Sequence, residues 1–367
     1  MKDFQLRNDT KLLFRNDPTA DLETLTVGKK VLFVYGGSSA KMNGCYDDVK
    51  KAVECGGGVF YELANASREL AVIETGIRHV KENGIELVIG AGGANIMDCA
   101  KLIAFGTYHT DDLWAYVKAE KNPYGLKKLP LILMPTYPSS GSEYGLGAVS
   151  ADSRTGDFGT AFGIPADTAI LVPKYSMSLS TEMTAYTGLV TLVQLSASTI
   201  GDQNPVSYDI GISVIRNVLA AAKTLKENPK DADARGVILY GASLSTSGRL
   251  GLGKVENYAY EIYELEFIPE VLYGASYRKS LTTLFPRFLK AMSNYHEADI
   301  CRYFRDVFGY EGSIAESASK MTGFFAELGI DRYFDGEVTA EAIKGIDIST
   351  TLSVDEITAL VEDCLRP

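Results

Sequence analysis

The feature that most constrains this chain is a unit that occurs twice: an apolar run, a cluster of small residues, then a helical pattern. Val31 to Tyr35 (VLFVY) precedes Gly36-Gly37-Ser38-Ser39, and Leu87 to Ile89 precedes Gly90-Ala91-Gly92-Gly93-Ala94. Short apolar runs without alternation predict strands buried on both faces, and a helix after each turn predicts that the following strand runs parallel. Val59 to Leu63 predicts a strand between them, and 69 to 83 a helix with Leu70, Ile73, Ile77 and Val80 on one face. Strand, turn and helix in this order give a parallel, Rossmann-like sheet with helices on its faces.

The same pattern continues downstream. Residues 4 to 14 predict an edge strand, Leu129 to Met134 (LPLILM) a buried strand, and Thr168 to Val172 another. The loop Pro135-Thr136-Tyr137-Pro138-Ser139-Ser140-Gly141-Ser142-Glu143 offers small hydroxyl residues that a ligand can approach closely. From about Thr181 the chain turns helical, with helices predicted at 183–200, 205–226, 231–246, 254–265, 276–292, 296–306, 311–328 and 354–363. Two domains follow: an α/β domain over 1–180 and an all-helical domain over 181–367.

Composition removes several classes of function. With 36 Lys and Arg against 47 Asp and Glu, the formal charge of −11 disfavours nucleic acid as a partner. The five cysteines, at 45, 55, 99, 301 and 364, form no CxxC pair and suit a reducing compartment. The first residues lack an uninterrupted apolar segment, and no apolar run reaches membrane-spanning length. The expectation is a cytoplasmic protein that does not engage a membrane.

A helix that opens directly after Gly92-Gly93-Ala94 leaves its first amides free, and glycines let an anion approach them, so a dinucleotide pyrophosphate is one reading and a plain tight turn the other. The segment departs from Gly-x-Gly-x-x-Gly and carries no Walker lysine. Asp98 either faces a ribose hydroxyl or caps, and Lys101 is expected in solvent. Gly36 to Ser39 lies where adenosine contacts gather in doubly wound sheets. No acidic residue directly follows that strand, and the hydroxyls with Lys41 nearby favour a 2′-phosphate, hence NADP over NAD.

These stretches, FVYGGSSAKMNG from Phe33, GAGGANIMDCAK from Gly90 and PTYPSSGSE from Pro135 with Ala148-Val149-Ser150, resemble the iron-containing (group III) alcohol dehydrogenases, in their NADP-dependent butanol dehydrogenase-like branch. The resemblance spans most of the chain. It implies the dehydroquinate synthase-like fold of that family, a homodimer and a small-molecule substrate. It implies that Gly36, Gly37, Ser38 and Ser39 surround the adenosine 2′ side. Gly92, Gly93, Ala94 and Asp98 would hold the pyrophosphate and nearby ribose, with Thr136, Ser140 and Ser142 at the nicotinamide end.

The family holds a divalent metal with one Asp and three His of the helical domain, whereas this chain has only His79, His109 and His296. Alignment puts Thr191 on the Asp and Leu195 on the first His. Counting back from Pro286 puts Tyr277 on the last ligand, Tyr263 on the one before it and Phe267 on a non-ligand histidine; with a gap, Tyr263 takes that non-ligand place. No histidine returns either way, so iron or zinc is expected to be absent.

Without the ion, a developing oxyanion needs another partner. Tyr263 and Tyr277 are the catalytic candidates, provided a cation such as Arg278 or Lys279 lowers the phenol pKa; the alternative is ordinary packing of aromatic rings. Glu182, Glu256, Glu261, Glu264 and Glu266 are a further possibility, as a carboxylate site for a hard ion or as a solvated face. His296 is expected as a surface residue near a helix start. Two functions stay open: an NAD(P)-dependent oxidoreductase without the usual metal, and a non-catalytic dinucleotide-binding relative with a filled site. A dehydroquinate synthase-like lyase is excluded by the same missing histidines.

Overall fold

The computed structural model describes residues 2–366. The chain forms two compact units, one of Arg7–Leu179 with Ala242–Gly248, the other of Met1–Leu6, Ser180–Gly241 and Arg249–Pro367.

The first unit is built on β1 (Lys11–Phe14), β2 (Lys30–Tyr35), β3 (Val59–Leu63), β4 (Leu87–Gly92), β5 (Leu131–Pro135), β6 (Gly147–Asp152), β7 (Asp157–Phe162) and β8 (Thr168–Leu171). Six of these make one parallel sheet in the order β1-β8-β5-β4-β2-β3, while β6 and β7 pair as a separate antiparallel hairpin. The unbroken apolar runs have a physical cause. Leu32 and Val34 pack with Ile73 and Ile77 of the helix Leu70–Asn83. Val31 and Phe33 instead pack with Val49 and Val53 of the helix Cys45–Cys55. Both faces of β2 are thus covered, which removes the polar alternation of a one-sided sheet.

β4 runs past Ile89 as far as Gly92, so three of the residues that read as a turn are strand. The helix that follows, Ala94–Gly106, buries Met97, Cys99, Leu102 and Ile103 and is covered on every side from Met97 onward. That placement overturns the expectation for Lys101, which is fully buried.

The second unit is helical, with long helices Thr181–Thr199, Pro205–Glu227, Tyr277–Phe308 and Ile314–Glu327. Their starts are capped as the sequence dictates: Ser180 accepts from the Met183 amide, Asn204 from Val206 ahead of Pro205, and Ser313 closes a capping box with Glu316. The helix expected over 254–265 is instead a 3-10 turn at Tyr258–Glu261 and short helices Ile262–Leu265 and Phe267–Tyr273. Gly251 and Gly253 at positive φ set the loop before it, and Gly274 (φ 61°) ends the last helix. The two helices expected at 276–292 and 296–306 are one, kinked at His296 (φ −136°, ψ 43°). The His296 ring stacks on Tyr258 with centroids 3.6 Å apart, so it is a packed residue inside a helix rather than a surface residue at its start. Among the described residues, no helix is long and apolar enough to cross a membrane.

Candidate functional site

From β2 the chain moves outward to β3 and then returns to the other side of β2 to form β4, so the sheet reverses direction between β2 and β4. In open parallel sheets, ligands settle outside the carboxyl ends of the strands at such a reversal. Tyr35 is paired with Ala91, and Gly92 with Pro135. Gly36 to Ser39, Gly93-Ala94 and Thr136 to Ser142 therefore leave the same sheet edge side by side. The three segments singled out from the sequence are brought together.

The glycines divide into two roles. A Cβ on Gly90 would lie 2.6 Å from Ala100 Cβ and 2.9 Å from Leu133, and one on Gly92 would lie 2.7 Å from Ile96 Cβ. These two residues let the helix Ala94–Gly106 press against β4. Gly37 is different, since a Cβ there would meet nothing within 4 Å. At Gly93 a Cβ would make only ordinary contact with Tyr137, at 3.6 Å. Neither has positive φ, so neither packing nor backbone strain requires glycine there. Gly37 leaves open space, and Gly93 leaves room beside Tyr137 at a helix start with no side-chain cap and no acidic residue in its first turn. Free amides and the positive end of the helix dipole suit an anion there. Ser38 and Ser39 are exposed, and no side chain caps the short helix that Ser38 opens.

The loop after β5 is held from below. Lys101 Nζ donates to Ser142 Oγ (3.2 Å), Gly145 O (3.0 Å) and Gly147 O (2.7 Å), which uses all three ammonium protons. Ser142 Oγ donates to Asp98 Oδ1 (2.5 Å), and the Val149 amide donates to Asp98 Oδ2 (3.2 Å). Burial pushes the Asp98 carboxyl up and the Lys101 ammonium down, while each charge opposes the shift of the other. Asp98 is thus engaged with the serine loop and neither caps its own helix nor extends a free carboxylate. Ser142 has its proton committed. Ser140, half-buried, accepts from the Ser142 amide (3.2 Å), and Thr136 is buried with its amide on Gly92 O (3.0 Å).

A charged group that sequence reasoning missed stands beside Gly36. Tyr35 Oη donates to Glu62 Oε2 at the end of β3 (2.9 Å), and Lys41 Nζ lies 4.6 Å from the Tyr46 ring centre and 5.3 Å from that of Tyr35. The hydrogen bond from Tyr35 holds Glu62 below the usual carboxylate range, and Tyr35 raises the Lys41 pKa. The carboxylate comes from the neighbouring strand, out of reach of a search along β2 itself.

In the helical unit, Thr191 and Leu195 lie one turn apart on Thr181–Thr199 and both are fully buried. Leu195 belongs to the apolar core, and the Thr191 hydroxyl is buried without a hydrogen-bond partner. Gln194 Nε2 donates to Tyr277 Oη at 3.4 Å. The Tyr263 ring sits 5.9 Å from that of Tyr260. Burial pushes the phenols of Tyr263 and Tyr277 well above their ordinary pKa. The lowering that would arm them as acids is not there, because the cations are elsewhere: Arg278 stacks over Tyr186, and Lys279 pairs with Asp331 at 3.2 Å.

These positions do not fit a divalent ion. A leucine, a threonine hydroxyl and two neutral phenols lack the carboxylate and imidazole donors that repay its dehydration. The acidic residues do not substitute for them. Glu261 accepts from Thr350 Oγ1 and the Thr351 amide, Glu256 lies exposed near His296, and Glu182 and Glu264 are exposed. Glu266 is buried, its charge adding to burial in raising the phenols of Tyr263 and Tyr277, and is a single carboxylate rather than a ligand set. Among the described residues, no three His, Cys, Asp or Glu side chains converge as a metal site. His109 bonds to Lys127 O (2.9 Å) and His79 packs against Tyr61.

Residues 9–173 match the family profile of the iron-containing alcohol dehydrogenases. The chain is similar to a probable NADH-dependent butanol dehydrogenase 1 of Bacillus subtilis, with 26% identity over 94% of this chain and 92% of that protein. It is also similar to the NADPH-dependent aldehyde reductase YqhD of Escherichia coli, with 24% identity over 95% and 93% of the two chains. Its fold matches the crystal structure of NADH-dependent butanol dehydrogenase A from Thermotoga maritima, with a TM-score of 0.87 and 21% identity over 100% and 99% of the two chains. At that identity the structural likeness speaks for the fold alone.

Proposed function

Because its residues 9–173 relate this chain to the iron-containing alcohol dehydrogenases, and so to NAD(P)-dependent alcohol and aldehyde dehydrogenases, we propose that it is a dinucleotide-dependent oxidoreductase that works without their metal. One observation carries the binding half of this reading: Gly37 and Gly93, which the protein's own packing does not require, open onto the sheet edge at the β2/β4 reversal. NADP(H) is the preferred form, with NAD(H) a weaker ligand. Lys41 lies in the short helix Ser39–Met42 that Ser38 opens and supplies a charge for a 2′-phosphate, while Tyr35 occupies an oxygen of Glu62. The reading includes a small-molecule substrate and a cytoplasmic homodimer.

Bound NADPH supplies a hydride at nicotinamide C4. The sheet unit's own part is to fix the phosphates with the amides after Gly93. Tyr277 and Tyr263, protonated at any physiological pH, can donate a hydrogen bond but carry no charge to stabilise an alkoxide. We therefore expect slow reduction of aldehydes, indifferent to EDTA and to added iron or zinc. Stimulation by either metal of more than about tenfold, the loss expected when an electrostatic partner worth ~1.4 kcal/mol is missing, would contradict it.

The core position of Leu195 and the raised phenols favour a second reading, in which the chain binds dinucleotide and turns nothing over. Titration with NADPH followed by its oxidation at 340 nm in the presence of short aldehydes separates the two. Binding with consumption supports the oxidoreductase, binding alone the non-catalytic relative, and no binding sinks both. Lys41→Gln is expected to weaken NADPH by about tenfold while leaving NADH unchanged, as fits loss of one charged hydrogen bond of ~1.5 kcal/mol. Equal effects on both dinucleotides would place the 2′-phosphate elsewhere.

A further inference from the structure

Lys101 is a lysine with no solvent to hold it in place, buried in a helix that is itself buried, and the mechanism above does not use it. Its surroundings account for it. Asp98 and Lys101 stand three residues apart on one face of Ala94–Gly106. From there the pair reaches the serine loop at Ser142 and Gly145 and the first strand of the hairpin at Gly147 and Val149. The Ser142 hydroxyl is the joint, accepting from Lys101 and donating to Asp98. With Ser142 fixed, its amide donates to Ser140 Oγ, so the remaining Ser140 proton points away from Ser142. A second anchor acts on the same loop: Glu143 accepts from Ser243 Oγ at 2.6 Å, and Thr246 Oγ1 donates to Gly141 O at 2.7 Å. Gly141 adopts φ +66°, and a Cβ there would fall 2.1 Å from Ala242 O, so the loop has one way to sit.

We propose that Lys101 is a positioning residue for the dinucleotide: through Ser142 it and Asp98 clamp the loop after β5, so that Thr136 and Ser140 meet the nicotinamide–ribose end of the ligand. Lys101 touches no ligand atom itself. The Gly36 to Ser39 segment leaves the sheet two strands away and meets this helix at Ile96 rather than at Asp98 or Lys101. This inference rests on the dinucleotide reading, and the experiment keeps the two apart. Wild type, Lys101→Met and Lys101→Met/Asp98→Asn are titrated with NADPH and with adenosine 2′,5′-bisphosphate, which lacks the nicotinamide half. The double variant removes the carboxylate that the single variant would strand, so it keeps the test open if Lys101→Met fails to fold.

The expected result is an NADPH affinity reduced at least tenfold in whichever variant folds, with adenosine 2′,5′-bisphosphate binding within twofold of wild type. A purely structural role would move both ligands together, and that result overturns the proposal. Unchanged NADPH binding in a folded variant overturns it too, with the dinucleotide reading intact. If wild type binds neither ligand, the dinucleotide reading itself has failed.

Discussion

Gly93→Ala is expected to fold like the parent and to lose NADPH affinity by roughly thirtyfold, the equivalent of one charge-assisted hydrogen bond of ~2 kcal/mol. The backbone there (φ −86°, ψ −173°) is extended, which any residue adopts, and the new methyl meets Tyr137 at ordinary contact distance. Alanine is a poorer N-cap than glycine, but it also restricts the unfolded chain, and the two effects of up to ~1 kcal/mol oppose each other. What the methyl takes is space at the helix start, where a phosphate would lie against the amides. Gly90→Ala is the matched control. Its methyl meets Ala100 and Leu133 inside 3 Å, so it is expected to cost ~1–3 kcal/mol of stability as an overpacked core does. Thermal melts beside NADPH titrations read both variants. A Gly93→Ala protein that binds NADPH as tightly as wild type would reduce the glycine run to a tight turn.

How far the sequence reveals this arrangement depends on how local each cause is. The strands are legible because a doubly covered strand writes an unbroken apolar run. The positions of the Gly36, Gly93 and Thr136 segments follow once the sheet is parallel, since each closes a strand at the same edge. What local sequence does not reveal is the division of labour inside the glycine run. Gly90 and Gly93 look alike in one dimension and differ only in what a Cβ would strike. Glu62 reaches Tyr35 because β3 lies beside β2, and strand order is not written in either strand. Lys101 did carry a signal. Its helix, ANIMDCAKLIAFG, is apolar nearly all round, and a helix of that kind is buried with whatever charge it contains. A lysine there needs a full set of acceptors, which points toward a partner such as Asp98 three residues earlier. The tyrosines of the helical half are the least legible, because the pKa of a phenol depends on cations that only the fold places. Arg278 and Lys279 neighbour Tyr277 in sequence and serve other partners in space.

Thr191→Asp restores in this chain the residue type that the resemblance places at the metal, and its outcome tests the metal-free reading directly. The position is fully buried, and its present hydroxyl already lacks a hydrogen-bond partner. A carboxylate there would be enclosed in the helical core, and an uncompensated buried charge costs ~3–5 kcal/mol. For a unit of this size, at ~2–4 °C per kcal/mol, the melting temperature should fall by about 10 °C. The pH dependence follows from the sign of the shift. Burial raises the folded pKa of the new Asp above its unfolded value near ~3.9, so the penalty is absent below that pH and grows as the pH rises through the window above it. The gap from wild type should therefore narrow toward pH 4 and widen toward pH 8. If Leu195, Tyr263 and Tyr277 leave the ion without imidazole ligands, adding iron(II) or zinc to Thr191→Asp recovers none of the lost stability. Recovery of several degrees would mean that ligands do converge at this position, and the metal-free oxidoreductase would have to be abandoned.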